Sequence, residues 1–212
     1  MVKALILYGA PGSGKGTQAG LLERNHEFIH FDPGRHIESL VHSTEAKHDP
    51  ILTRERKNFD AGVLCTPSWV LKIADQAITG IIKSGFNMVT SGSPRTMYEA
   101  FGEGKNKGLF AKMVKLVGKE NIIIIVLDVL DEHSVERNSS RRLCSFCGLP
   151  VLKGAKLDKC SFCAGSFYVR TLDNKTTTVV PVLNYTGNVK LDVNNIQKKN
   201  GAVCLNYNPA CP

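Results

Sequence analysis

Five apolar runs without polar alternates punctuate the chain: Val2–Tyr8, Phe28–Phe31, Phe86–Thr90, Ile122–Leu127 and Ala202–Leu205. Runs of this length, rich in Val, Ile and Leu, suit strands buried on both faces of a sheet. Between them, helical spacing of apolar positions predicts helices over Thr17–Asn25, Arg35–His42, Ser68–Lys83 and Lys107–Gly118. Pro67 stands before the third of these and Gly85 after it, the punctuation expected at a helix start and stop. Alternating strand and helix implies a parallel sheet joined by right-handed crossovers, so the fold class is α/β, a doubly wound sheet of about five strands. One stretch breaks the rhythm. Leu143–Tyr168, rich in Gly, Cys and Lys, reads as a small domain inserted into the sheet protein.

The first run leads straight into Gly9-Ala10-Pro11-Gly12-Ser13-Gly14-Lys15-Gly16-Thr17-Gln18. A strand, a glycine-rich loop and a helix start, in that order, form the context of a phosphate-binding loop. Glycines let backbone N–H groups turn toward a polyphosphate, and the helix N-terminus adds partial positive charge. Lys15 brings a full charge within reach of the terminal phosphates.

Composition sharpens this picture only in places. The 212 residues suit one core with inserted subdomains. The formal charge of +8, from 27 Lys and Arg against 19 Asp and Glu, suits a polyanionic ligand. No signal-peptide pattern opens the chain, and the six apolar residues Ile122–Leu127 fall far short of a membrane span, so a cytoplasmic protein without membrane partners is expected. Of seven cysteines, four fall as Cys144-x2-Cys147 and Cys160-x2-Cys163 with twelve residues between the pairs. Two such knuckles point to a tetrahedral structural zinc ion rather than disulfides. Four thiolates around Zn²⁺ would reduce the effective charge to about +6. Cys65, Cys204 and Cys211 read as core or tail thiols.

Lys15-Gly16-Thr17, with Pro11 and Gln18, resembles the adenylate kinase family of nucleoside monophosphate kinases, and the resemblance runs from Val2 to about Tyr207. Gly92-Ser93-Pro94-Arg95-Thr96 resembles that family's Gly-Phe-Pro-Arg-Thr, which implies that Arg95 clamps the monophosphate's phosphate. Asn58–Leu64, with Gly62 and Leu64, is similar to the stretch beside the monophosphate pocket. Arg137, Arg141 and Arg142 precede the knuckles as three arginines precede the family's lid. The resemblance implies that Arg137 stacks on the ATP adenine, that Arg141 contacts phosphate, and that Arg170 closes onto the transferring group. It also implies ATP with Mg²⁺, nucleotide partners, no nucleic-acid partner and a monomer. The expected organisation is a core of residues 1–142 and 170–212, a helical monophosphate-binding insertion at 32–67, and a zinc lid at 143–169.

Several positions depart from the family pattern. Counted from Lys15, its Ser-Thr-Gly-Asp becomes Asp32-Pro33-Gly34-Arg35, and its phosphate-binding arginine falls on Glu38. Gly34 and Arg35 remain as candidates for the same phosphate. The acidic residue before Gly-Phe-Pro-Arg is Ser91, the lid's Arg-x-Asp-Asp reads Arg170-Thr171-Leu172-Asp173, and a further arginine is Pro181. The chain also ends soon after Leu205, where the family usually has one more helix. Where the family reads adenine with Gln stands Glu99, an acceptor that suits guanine's N1–H and amino group. The leading reading is therefore a kinase transferring the γ-phosphoryl of Mg·ATP to AMP. A kinase for another monophosphate such as GMP, a catalytically impaired nucleotide-binding regulator, and a zinc-ribbon nucleic-acid binder stand as alternatives.

Overall fold

The computed structural model describes residues 2–139, 141–151, 154–161 and 163–169. The run Ala202–Leu205, the thiols of Cys204 and Cys211, and Arg170, Leu172, Asp173 and Pro181 lie outside the described residues. A parallel sheet has the order β2-β3-β1-β6, formed by β1 (Ala4–Gly9), β2 (Phe28–Phe31), β3 (Asn87–Ser91) and β6 (Ile122–Leu127). Four of the five sequence-predicted strands are thus in place, within two residues of the expected bounds. Seven helices join the strands among the described residues: α1 (Lys15–His26), α2 (Pro33–Val41), α3 (Pro50–Ala61), α4 (Pro67–Lys83), α5 (Met97–Phe101), α6 (Leu109–Val117) and α7 (Asp131–Ser139). A small antiparallel hairpin of β4 (Gly102–Glu103) and β5 (Asn106–Lys107) lies before α6. This hairpin takes Lys107 out of the helix expected there, because Gly108 opens α6.

Period-two alternation on β1 divides the core. Ala4, Ile6 and Tyr8 pack with Met88 against Leu71, Ala74 and Ile78 of α4 and Leu109, Phe110 and Met113 of α6. Leu5 and Leu7 face the other way, with Val89, onto Ala19 of α1. Helices therefore cover both faces, as a doubly wound sheet requires. β6 differs from the expected strand buried on both sides. Ile123 and Ile125, in register with Leu5 and Leu7 on one face, are 44% and 40% exposed on a strand that is an edge of this sheet among the described residues.

A satellite core of Ile37, Val41, Cys65 and Val70, with Phe59, Trp69 and Ile73, knits α2, α3 and the start of α4 together. Asp32 and Asp49 cap α2 and α3, each accepting two backbone N–H bonds ahead of a proline at the helix start. The cysteine segment forms a three-stranded antiparallel sheet in the order β8-β7-β9, from β7 (Arg142–Cys144), β8 (Pro150–Val151) and β9 (Phe167–Tyr168). Among the described residues no helix is long and apolar enough to cross a membrane.

Candidate active site

The glycine-rich loop leaves β1 and turns into α1 beneath α7. Ser134 of α7 donates its hydroxyl to Pro11 O at 2.6 Å. Gly12 has φ of +78°, and a Cβ there would come within 3.1 Å of Arg137 Cβ, so the approach of α7 requires glycine. Lys15 opens α1, and its ammonium donates to Gly9 O at 2.8 Å and Ala10 O at 2.7 Å. Burial lowers its pKa to about 7, the nearby charges of Arg95 and Arg141 push the same way, and Asp32 opposes them. Three cations from three segments therefore converge: the loop, the turn after β3, and the residue that follows α7 by two positions. Nothing but an anion compensates such a cluster well.

A pH dependence follows. Free Lys15 is mostly neutral above pH 7, whereas a bound polyphosphate favours the ammonium. Binding of Mg·ATP should therefore take up about one proton at pH 8.5 and almost none at pH 6. Calorimetry in buffers of different ionisation enthalpy measures this uptake, and Lys15→Met should abolish it.

The other candidate residues fall into place around this cluster. Arg95 donates Nε–H to Gly92 O at 2.7 Å. Of the arginines before the knuckles, Arg137 donates to Gly12 O at 3.5 Å, the charge of Arg141 acts on Lys15, and Arg142 turns into the lid. Arg142 stacks on Phe167, 5.3 Å from the ring centroid, and donates to Ala155 O at 2.9 Å. Ser91 ends β3 with its hydroxyl 2.8 Å from His30 Nε2. Gly34 N–H and Arg35 N–H both reach the capping carboxylate of Asp32. Gly62 ends α3 in a left-handed conformation, and Leu64 beyond it is half exposed.

Glu99 is 4% exposed and turned inward. It accepts from Arg95 N–H at 2.8 Å, while Thr96 Oγ accepts from Glu99 N–H at 3.0 Å to cap α5. Burial raises its pKa, with the bonds from Arg95 and Thr96 opposing. In this arrangement the carboxylate is committed to the turn that holds Arg95. The pattern Thr96-x-x-Glu99 signals such a helix start in the sequence itself, although the carboxylate reaches Arg95 N–H rather than the N–H of Thr96.

The four lid thiols come together, their sulfurs all within 4.8 Å of one another. Cys144 Sγ lies 3.4 Å from Cys163 Sγ, and Cys147 Sγ lies 3.6 Å from Cys160 Sγ, without disulfides. A zinc tetrahedron with Zn–S bonds of about 2.3 Å has edges of about 3.8 Å, so the group fits that ion. Phe146 N–H points at Cys144 Sγ at 3.4 Å, a donor suited to a thiolate. Against the cost of burial, backbone N–H groups of Cys147 and Phe146 lower the Cys144 pKa. Gly148, with φ of +69°, lets the first knuckle approach α2: a Cβ there would come 2.8 Å from Arg35 Cζ. Tyr168 O–H reaches Glu38 Oε1 of α2 at 3.5 Å. Glu38 thus meets the lid, three residues from Arg35 and on the same helix face.

Sequence reasoning missed Glu55, whose buried carboxylate anchors Thr66 at the start of α4, and Asp32, whose charge acts on Lys15. The Asp32-Pro33 and Asp49-Pro50 pairs are legible as helix starts, but Glu55 gives no local signal at all.

No protein-family model matches the chain. It is 31% identical over 183 residues to the adenylate kinase of Caldicellulosiruptor bescii, covering 82% of this chain and 77% of that protein. The adenylate kinase of Acetivibrio thermocellus is 31% identical over 186 residues, 85% of this chain and 79% of the relative. That of Borrelia recurrentis is 28% identical over 195 residues, 90% and 82% of the two chains. With the phosphate-binding loop, the converging cations and the two cysteine knuckles on one α/β frame, these likenesses make the chain a divergent member of the adenylate kinase family.

Proposed function

We propose that this chain is a phosphotransferase that moves the γ-phosphoryl of Mg·ATP to AMP, giving two ADP. The convergence of Lys15, Arg95 and Arg141 carries the reading, since an in-line transfer between two phosphates needs cations on both sides of the moving group. An oxygen of the AMP phosphate attacks the γ-phosphorus. The bond to the bridging oxygen breaks, and its electron pair leaves on the β-phosphate of the new ADP. Mg²⁺ arrives as part of the nucleotide and absorbs developing charge.

Each segment has an assigned task. Backbone N–H groups of residues 9–17 cradle the ATP phosphates, Lys15 reaches the γ-phosphate, and Arg137 lies against the adenine. Arg95, Arg35 and Gly34 receive the monophosphate, whose base lies along Gly62 and Leu64. Arg141, with Arg170 and Asp173 from beyond the described residues, completes the site from the lid side. The lid, residues 143–169, closes over a core of 1–142 and 170–212 that carries the insertion 32–67. Cys144, Cys147, Cys160 and Cys163 hold a structural zinc ion with all four positions filled by protein, so zinc contributes shape rather than chemistry.

Family membership favours turnover over a binding-only role. The inward carboxylate of Glu99 favours AMP over a guanine nucleotide, because an engaged acceptor cannot also read a base edge. Diphosphate formation from Mg·ATP with AMP, GMP, CMP and UMP tests this. AMP should exceed the others by at least about tenfold in kcat/KM, the scale set by about 1.4 kcal/mol of differential binding. GMP preferred over AMP would mean that Glu99 turns outward, and no turnover with any of the four would end the kinase reading.

A further inference from the structure

We infer that Glu55 is a positioning residue for the monophosphate half of the site: its buried carboxylate fixes the segment 62–66, along which the base of AMP is proposed to lie. Glu55 lies on the inner face of α3 and is fully buried, 0% exposed, in the position where an amphipathic helix normally presents an apolar side chain. A buried carboxylate persists only when its oxygens are hydrogen-bonded. Here Thr66 supplies its backbone N–H at 2.8 Å and its hydroxyl at 2.6 Å, Arg54 supplies Nε at 2.9 Å and Nη2 at 2.7 Å, and Asn58 Nδ2 lies at 3.4 Å.

The identity of these donors carries the argument. Thr66 is the N-cap of α4, the place where a threonine oxygen ordinarily accepts a bond from the helix's own N–H groups. It makes no such bond, because its hydroxyl donates to Glu55 instead. Cys65 S–H also points at the Glu55 backbone carbonyl, at 3.7 Å. At the other end of the segment, Gly62 N–H and Val63 N–H close onto Phe59 O at 3.0 Å and Asn58 O at 2.8 Å. The strap 62–66 is therefore pinned twice to α3, by backbone at its start and by Glu55 at its finish. Between the pins, Val63 and Leu64 stay exposed, at 59% and 48%. Burial and the neighbouring Glu55 push the Cys65 thiol up to about 11, against the opposing charge of Arg95. A well-packed apolar residue would fill the same space without a buried charge, so the carboxylate contributes position.

This inference rests on the kinase reading for the nature of the ligand, and its test includes a readout without turnover. Trp69, the only tryptophan, follows Thr66 by three residues and packs on the satellite core, so its emission reports the strap. Glu55→Ala should raise KM for AMP about 10- to 100-fold while KM for ATP changes by no more than about twofold. In parallel, AMP binding followed by Trp69 emission without ATP should weaken by the same factor. Glu55→Gln, which keeps an acceptor for Thr66, should recover most of the affinity. Should Glu55→Ala fail to fold, Thr66→Val removes a single bond and should weaken AMP about three- to tenfold with ATP unchanged. Equal losses for AMP and ATP, or AMP binding unaffected in both variants, would overturn the assignment. A wild-type chain that binds AMP but makes no ADP would instead count against the kinase reading alone, and the Trp69 measurement would still decide Glu55.

Discussion

Lys15→Ala should lower ADP formation from Mg·ATP and AMP by about 10²- to 10³-fold, chiefly in kcat. The ammonium already sits on Gly9 O and Ala10 O, at the lip of the loop, with Arg95 and Arg141 close enough to depress its pKa. It is thus aimed where the γ-phosphoryl's charge spreads during transfer, and a preorganised cation there is worth about 3–4 kcal/mol in the transition state. Lys15→Arg should rescue little, because a planar fork cannot occupy a cradle of two carbonyls built for a compact ammonium. Unfolding is excluded as the cause by a stability measurement whose sign is fixed in advance. The folded pKa of about 7 lies below the ordinary lysine value, so the charge costs stability fully below pH 7, and the cost fades as pH rises toward 10.5. Lys15→Ala should therefore melt no lower than the parent at pH 6, with any gain shrinking by pH 9. A variant that melts well below the parent at pH 6 would assign the lost activity to the fold. One that retains activity within a few-fold would remove Lys15 from the transfer step.

The frame and the phosphate loop were legible because their signals are local. Apolar runs such as Ala4–Gly9 and Asn87–Ser91 need no partner to be recognised as strands, and the loop's glycines and the cysteine pairs are set by spacing. Within the helical insertion expected at 32–67 the bounds of α3 were not legible, since its buried position is a glutamate and the apolar stripe that betrays a helix is missing. The hairpin of β4 and β5 is two residues a side, too short for any periodicity. Direction was also hidden. Arg141 and Arg142 are adjacent, yet one faces the phosphate loop and the other stacks on Phe167; only the strand β7 decides which. Glu99 shows the same limit from another side. Its place in the chain suggests a base reader and its spacing from Thr96 suggests a cap, and the fold settles the carboxylate on Arg95 N–H. Glu38 stands where the family pattern has a phosphate-binding arginine, but its neighbour Tyr168 lies 130 residues away and no sequence rule connects the two.

Removing the zinc ion proposed for the four lid thiols should lower AMP-dependent ADP formation about 100-fold or more, while Mg·ATP still binds the loop. The lid sheet consists of strands of two or three residues, and its buried positions among the described residues are Leu143, Cys144, Val151 and Cys160. So small a core does not hold itself together, and segments below about 40 residues ordinarily need metal or disulfides to fold. A zinc ion on the four thiols would supply the missing free energy, because the ligand set exists only in the folded lid. Without it, four thiols within 4.8 Å have nothing to bind, and the contacts of Gly148 with Arg35 and of Tyr168 with Glu38 are lost with the knuckles. Water then reaches the γ-phosphate, so phosphate release from ATP should rise relative to transfer to AMP. Lys15 and Arg95 stand on the core, so binding of Mg·ATP should weaken by no more than a few-fold. Metal analysis should find one zinc per chain in the parent and none after treatment with a strong chelator, and re-added zinc should restore transfer. Cys147→Ser should reproduce the loss without any chelator. Full transfer activity in a chain shown to be metal-free would mean that the lid folds on its own, and that the cysteine pairs serve something other than closure.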